Sequence, residues 1–132
     1  MVAPCSQFYV TLVTHAALPE VAPDDHLLAA TLRNEDLRVR FAVWNDPSVD
    51  WRASKLAVVR STWDYHREPQ AWAQWLADAG TRTRLLNPPA LLAWNTDKRY
   101  LRDLQAAGVA CVPTWFVEPG ATPVVPHRGI HD

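Results

Sequence analysis

Residues 56–65, LAVVRSTWDY, decide how this chain folds. Leu56 to Val59 is an unbroken apolar run, the pattern of a strand covered by helices on both faces. It stops at Arg60-Ser61-Thr62-Trp63-Asp64-Tyr65, a polar and aromatic stretch that reads as a loop at the carboxyl end of that strand. Glu68-Pro69 then opens a helix whose Trp72, Trp75, Leu76 and Ala79 recur at helical spacing, and Gly80 is placed to end it.

Outward from this unit the same alternation continues. Toward the N-terminus, Phe8 to Val13 is a short β-branched and aromatic strand. Pro23-Asp24-Asp25 sets a helix start with acidic residues near the positive end of the dipole, and Leu27, Leu28, Thr31 and Leu32 form its apolar face, ending near Asn34. Val39, Phe41 and Val43 alternate with Arg38, Arg40 and Ala42, which suits a strand near a sheet edge. Asp46-Pro47 is a turn. Toward the C-terminus, Arg84 to Leu86 is a short strand closed by Asn87-Pro88-Pro89, and a helical turn near Leu91 and Leu92 follows. Asn95-Thr96 is read as the cap of a further helix carrying Tyr100, Leu101, Leu104 and Ala107, ended by Gly108. Val109 to Val117 is read as a last strand, bent at Pro113. The order β-α-β-β-α-β-α-β specifies an α/β fold: a mostly parallel open sheet with right-handed crossovers and flanking helices, Rossmann-like in class. From Glu118 onward the prolines at 119, 123 and 126 leave an irregular tail.

Composition narrows the function. The 132 residues suit one compact α/β domain, with 13 basic against 14 acidic residues and no basic stripe, which argues against nucleic acid as a partner. Cys5 and Cys111 are unpaired in spacing, so neither a zinc ribbon nor a disulfide framework is expected, and Cys111 reads as a small buried residue. No run approaches the roughly twenty apolar residues of a membrane helix, and no secretory leader is visible; a cytoplasmic location is the expectation.

The four glycines fall at positions 80, 108, 120 and 129, so no glycine-rich turn follows the first strand, which excludes a dinucleotide fingerprint and a phosphate loop. A Gly-x-Ser-x-Gly elbow is absent as well. His127 and His131 have zinc-like spacing but sit in the proline-broken tail, and His15 and His26 are isolated. Two segments carry chemistry. Arg60 to Tyr65 offers a guanidinium, hydroxyls, a carboxylate and two amphipathic aromatics where open parallel sheets bind ligands; the alternative is that Trp63 and Tyr65 cap the core while Asp64 pairs with Arg60. In Asn95-Thr96-Asp97-Lys98-Arg99-Tyr100-Leu101, a lysine in a first helical turn opposes the dipole unless an anion is shared with it; the alternative is a solvated surface lysine.

The run from Asn87-Pro88-Pro89 through Trp94-Asn95-Thr96-Asp97-Lys98 to Gly108 and Val112-Pro113-Thr114-Trp115 resembles the entry to the nucleotide domain of ATP-grasp carboxylate–amine ligases. The upstream Arg60-Ser61-Thr62-Trp63-Asp64-Tyr65 and the helix after it are closer to the glutathione-synthetase-like subgroup that includes the O-ureidoserine cyclo-ligase. The resemblance covers roughly residues 8–117. It implies a pre-ATP-grasp α/β domain over 1–95, the first helix and strand of an incomplete ATP-grasp domain over 96–117, and an irregular 118–132. It implies that Lys98 contacts ATP phosphate and that Arg60, Ser61, Trp63 and Asp64 face substrate, with no catalytic and no metal-binding residue assigned. It implies ATP and Mg²⁺ as cofactors of the full-length family, neither held tightly by this stretch, and carboxylate and amine substrates. The second ATP lysine, glycine-rich lid and acidic magnesium ligands of the family have no match here, so these residues alone are expected to be inactive. The expected partners are then a separately encoded core or a second copy, through Tyr100, Leu101 and Trp115 left without their usual cover. The alternative is a self-sufficient flavodoxin-like binding or regulatory module without catalysis.

Overall fold

A computed structural model describes residues 8–118 and 120–122. The chain divides into two compact units that part between Thr96 and Asp97. The first contains a four-stranded, wholly parallel sheet in the order β2-β1-β3-β4, formed by β1 (Phe8–Thr14), β2 (Val39–Val43), β3 (Ser54–Ser61) and β4 (Arg84–Leu86). β1 is central, and five of its seven residues, Val10 to Thr14, are buried. β2 lies at an edge, as its alternation predicts.

Two helices cover opposite faces of this sheet. On one, Val10, Leu12 and Val39 pack against Ala29, Leu28 and Leu32 of α1 (Pro23–Asn34). The buried face of α1 is narrower than its leucines suggest: Asp25 and Ala29 are its fully buried residues, whereas Leu27 and Thr31 are exposed. On the other face, Val13, Ala42, Ala57 and Leu85 meet Trp72, Trp75, Leu76 and Ala79 of α2 (Pro69–Arg82). Four indoles stitch this half together: Trp72 stacks on Trp75 at 4.9 Å, and Trp44 and Trp51 meet Trp75 edge-on at 6.2 and 5.3 Å. Aromatic pairs of this kind add about 0.5–1.5 kcal/mol each beyond their burial.

Several boundaries differ from the sequence reading. Arg60 and Ser61 belong to β3 rather than to the loop, which starts at Thr62. Gly80 does not end α2; the helix runs on to Arg82, with Thr83 extended after it. Gly80 is needed for space instead, since a Cβ there would lie 2.8 Å from Pro89 Cγ at the start of α3 (Pro89–Thr96). Thr96 is the last residue of α3 and not a cap: its hydroxyl donates back to Leu92 O at 2.9 Å and accepts the Trp72 indole N–H at 3.1 Å.

In the second unit the helix expected from Thr96 is shorter, α4 (Tyr100–Ala106), and follows a turn over Asp97–Arg99. Gly108 does terminate it: its φ of 80° is open to glycine at little cost, and its N–H donates to Gln105 O at 3.0 Å. Residues 109–118 form no strand. Backbone donors and acceptors in an extended segment need a neighbouring strand, and none pairs with this one among the described residues. Cys111 is half-buried rather than buried, Tyr100 and Leu101 are half-buried, and Trp115 is 54% exposed. Cys5, His127, His131 and most of the irregular tail lie outside the described residues. No helix among the described residues is long and apolar enough to cross a membrane.

Candidate functional site at the carboxyl ends of the strands

The chain leaves β1 for α1 on one face and leaves β3 for α2 on the other, and β1 and β3 are neighbours. Divergence between adjacent parallel strands opens a crevice at their carboxyl ends. His15 follows β1, Trp44 follows β2, and Thr62 to Asp64 follow β3, so all of them reach this edge.

A β-bulge shapes the exit of β3. Val13 pairs with Val59 and Thr14 pairs with Ser61, which leaves Arg60 as an extra residue. Successive strand residues ordinarily point to opposite faces, but here Arg60 and Ser61 both reach Asp25 in the first turn of α1. Arg60 Nε donates to Asp25 Oδ1 at 2.7 Å, Arg60 Nη2 lies 3.3 Å from Asp24 Oδ2, and the Ser61 hydroxyl donates to Asp25 Oδ2. The Asp25 carboxylate is 1% exposed, and its hydrogen bond raises the Arg60 pKa above its ordinary value. Arg60 therefore serves Asp24 and Asp25 and not Asp64, which corrects the core-capping alternative.

Asp64 is held by a different partner. The Trp44 indole donates to its Oδ1 at 2.9 Å, and His15 Nδ1 stands 3.8 Å from its Oδ2. The His15 ring lies 5.9 Å from that of Trp63, which is 60% exposed. Both His15 ring nitrogens are buried without a hydrogen-bond partner among the described residues, an arrangement that costs free energy. His66 Nδ1 donates to Trp63 O at 2.9 Å, a contact that leaves Nε2 as the acceptor of the neutral ring. Together His15, Ala17, Trp63, Asp64, His66 and Arg67 line a cavity of about 160 Å³.

Of the four residues expected to face substrate, Trp63 and Asp64 line this cavity, whereas Arg60 and Ser61 are turned to Asp25. Sequence reading passed over His15, and its available signal was position: it is the first residue beyond the buried run Val10 to Thr14. Lys98 lies in the turn before α4 rather than in a helical first turn. Its ammonium sits 5.6 Å from the Tyr100 ring centroid. Asp97, Lys98, Arg99, Phe116, Val117 and Glu118 line a cavity of about 310 Å³. Arg99 Nε donates to Asp97 Oδ2 at 2.8 Å, and this bonding holds the Asp97 carboxyl down at about 2. Two cations face two carboxylates in that cavity, so a polyphosphate there would need further positive charge. No group of three or more His, Cys, Asp or Glu side chains gathers as a metal site among the described residues.

Residues 10–87 match the family model for the N-terminal domain of D-cycloserine synthetase DcsG. The cycloserine biosynthesis protein DcsG of Streptomyces lavendulae is 33% identical over 112 residues, which cover 85% of this chain and 38% of that protein. The crystal structure of D-cycloserine synthetase DcsG superposes with a TM-score of 0.75 at 33% identity, covering 86% of this chain and 38% of that one. The chain thus spans 38% of the length of the relative it matches, and Lys98 falls beyond the span of the family match. On these matches and on its parallel sheet, the chain belongs to the family of DcsG N-terminal domains.

Proposed function

We propose that this chain is the N-terminal portion of an ATP-dependent carboxylate–amine ligase of the ATP-grasp type. The observation that carries this reading is the His15–Trp63–Asp64 cavity, placed where β1 and β3 diverge in a DcsG-type domain. Asp64 is the group for a substrate ammonium, Arg67 for a carboxylate, and Trp63 for the apolar body between them. Trp44 fixes the Asp64 carboxylate by its 2.9 Å bond, so the acceptor is oriented before a ligand arrives. Arg60 and Ser61 contribute indirectly, by anchoring the end of β3 to α1 through Asp25.

Lys98, with Arg99 beside it, is the residue pair that would face nucleotide phosphate. The mixed charge around it fits such a contact only with Mg²⁺ or further cations added, so ATP binding by these residues alone is weak. In the complete reaction ATP supplies the phosphoryl group that activates the carboxylate. These 132 residues by themselves do not perform ligation, because the glycine-rich lid and acidic magnesium ligands of such enzymes have no counterpart in the sequence.

Ligand-observed NMR on the full chain tests both contacts. Small α-amino acids should show contact that Asp64→Asn abolishes. Mg·ATP should bind in the millimolar range and weaken about tenfold in Lys98→Ala, the loss of one charge-assisted contact. Phosphate release should stay at background. Equal ATP binding by wild type and Lys98→Ala, with no amino-acid contact, would instead support a non-catalytic flavodoxin-like module.

A further inference from the structure

α3 has the composition of an interior helix and the exposure of a surface one. It carries no charged side chain, unlike α1 and α2, yet none of its residues is fully buried, whereas both of those helices bury residues. A helix apolar on every side is ordinarily covered on every side. One face of α3 has its cover. Pro89 lies against Gly80, Leu92 packs on the core around Trp72 and Trp75, and Thr96 accepts the Trp72 indole N–H. Ala90, Leu91 and Trp94 turn the other way. Leu91 and Trp94 are each 44% exposed, and Ala90 is exposed with them. At spacings of three and four residues these side chains form one outward stripe.

Charge and shape select what covers the stripe. A contact between identical copies sets a surface against itself, so any charge near its centre meets its own sign. Residues 87–96 hold no charge, so that penalty is absent. Bulk and gap also alternate along the stripe, with an indole toward one end and the Ala90 methyl one turn away. Reversing a second α3 over the first, across a two-fold axis near Leu92, brings each Trp94 over the Ala90 of the other copy. Both ends are then filled in the same way.

We propose that a second copy of this chain docks on α3, antiparallel, through Ala90, Leu91 and Trp94. An indole at the centre of a contact is a common energetic anchor. Two half-exposed side chains and an alanine per copy fall well short of the about 1,200 Å² that stable interfaces bury, so the dimer is weak, with a dissociation constant of about 0.1–1 mM. This face belongs to the first unit and is separate from Tyr100, Leu101 and Trp115.

Sedimentation velocity of the full chain, from about 10 μM to about 1 mM, reads the association directly. Wild type should pass from monomer toward dimer over that range. Trp94→Lys should weaken association at least about tenfold by removing the anchor, and Ala90→Glu should do the same by setting a carboxylate under the indole. Both positions are exposed, so circular dichroism should show the fold retained, and either variant alone decides the point if the other fails to fold. An equal mixture of Trp94→Lys and Ala90→Glu should associate more tightly than either variant alone, because the reversed register pairs the new ammonium with the new carboxylate at one end and keeps the native contact at the other. A wild type that stays monomeric at the highest concentration, association undiminished by both variants, or a mixture no tighter than its components would each overturn the proposal. Loss of association in Trp115→Lys but not in Trp94→Lys would overturn it too, by moving the contact to the second unit. No outcome involves Asp64 or Lys98, so this surface and the ligase reading stand or fall separately.

Discussion

Gly80→Ala puts a helix rule against a packing contact, and the contact should win. Inside a helix, alanine is better than glycine by about 0.8–1.0 kcal/mol. Gly80 is exposed within α2, so on propensity alone the change should stabilise. Its new Cβ, however, would stand 2.8 Å from Pro89 Cγ, roughly 0.7 Å inside the shortest comfortable carbon–carbon separation. A proline ring is tied into its own backbone and cannot rotate aside, so α3 must move off α2. Overpacking of this kind costs about 1–3 kcal/mol, leaving a net loss of about 1 kcal/mol and a melting temperature lower by about 3–5 °C. Urea unfolding followed by circular dichroism and indole fluorescence should show a lower midpoint with unchanged slope. In a Pro89→Ala background the clashing Cγ is gone, and Gly80→Ala should stabilise by about 1 kcal/mol. A change of the same sign and size in both backgrounds would show that the α2–α3 approach is not what requires a glycine.

Two further outcomes follow from ion pairs. Arg60→Met should destabilise by about 1–2 kcal/mol, below the usual cost of stranding a buried carboxylate because the Arg60 side chain is 40% exposed and water can reach the site; calorimetry of Arg60→Met, Asp25→Asn and the double variant should show strong coupling. The Asp97 carboxyl, held at about 2 by its hydrogen bonds from Arg99, should titrate near that value by ¹³C NMR and return to the ordinary aspartate range in Arg99→Ala. Because its folded pKa is depressed, any stability it adds is complete above the unfolded pKa and disappears as pH falls through about 2.

The parallel sheet and its two covering helices were legible because burial there follows simple periods. The runs at Phe8–Val13 and Leu56–Val59 and the Trp72, Trp75, Leu76, Ala79 stripe each appear where expected. Failures came where a neighbour outweighs local preference. Nothing local distinguishes a glycine that ends a helix from one that admits Pro89. The apolar residues of 109–117 have strand character, but pairing is a property of two segments, and among the described residues one is missing. Trp63 and Asp64 were found as a loop of the right chemistry, whereas the diversion of Arg60 to Asp25 depends on a residue 35 positions away. His15 went unassigned because a lone histidine carries no pattern; only the fold brings it to Asp64.

The bulge at Arg60 gives the end of β3 one residue more than its pairing with β1 needs, and that surplus residue carries the charge. Removing that one residue would let β3 continue in phase with β1, so the sheet could survive and a circular dichroism spectrum would look ordinary. Ser61 would still lie opposite Thr14 and on the side of α1, so the segment carrying Trp63 and Asp64 would keep its direction, and what would go is the guanidinium that meets Asp25. A single-codon deletion would thus smooth the strand and leave the buried Asp25 carboxylate with the Ser61 hydroxyl but without its cation.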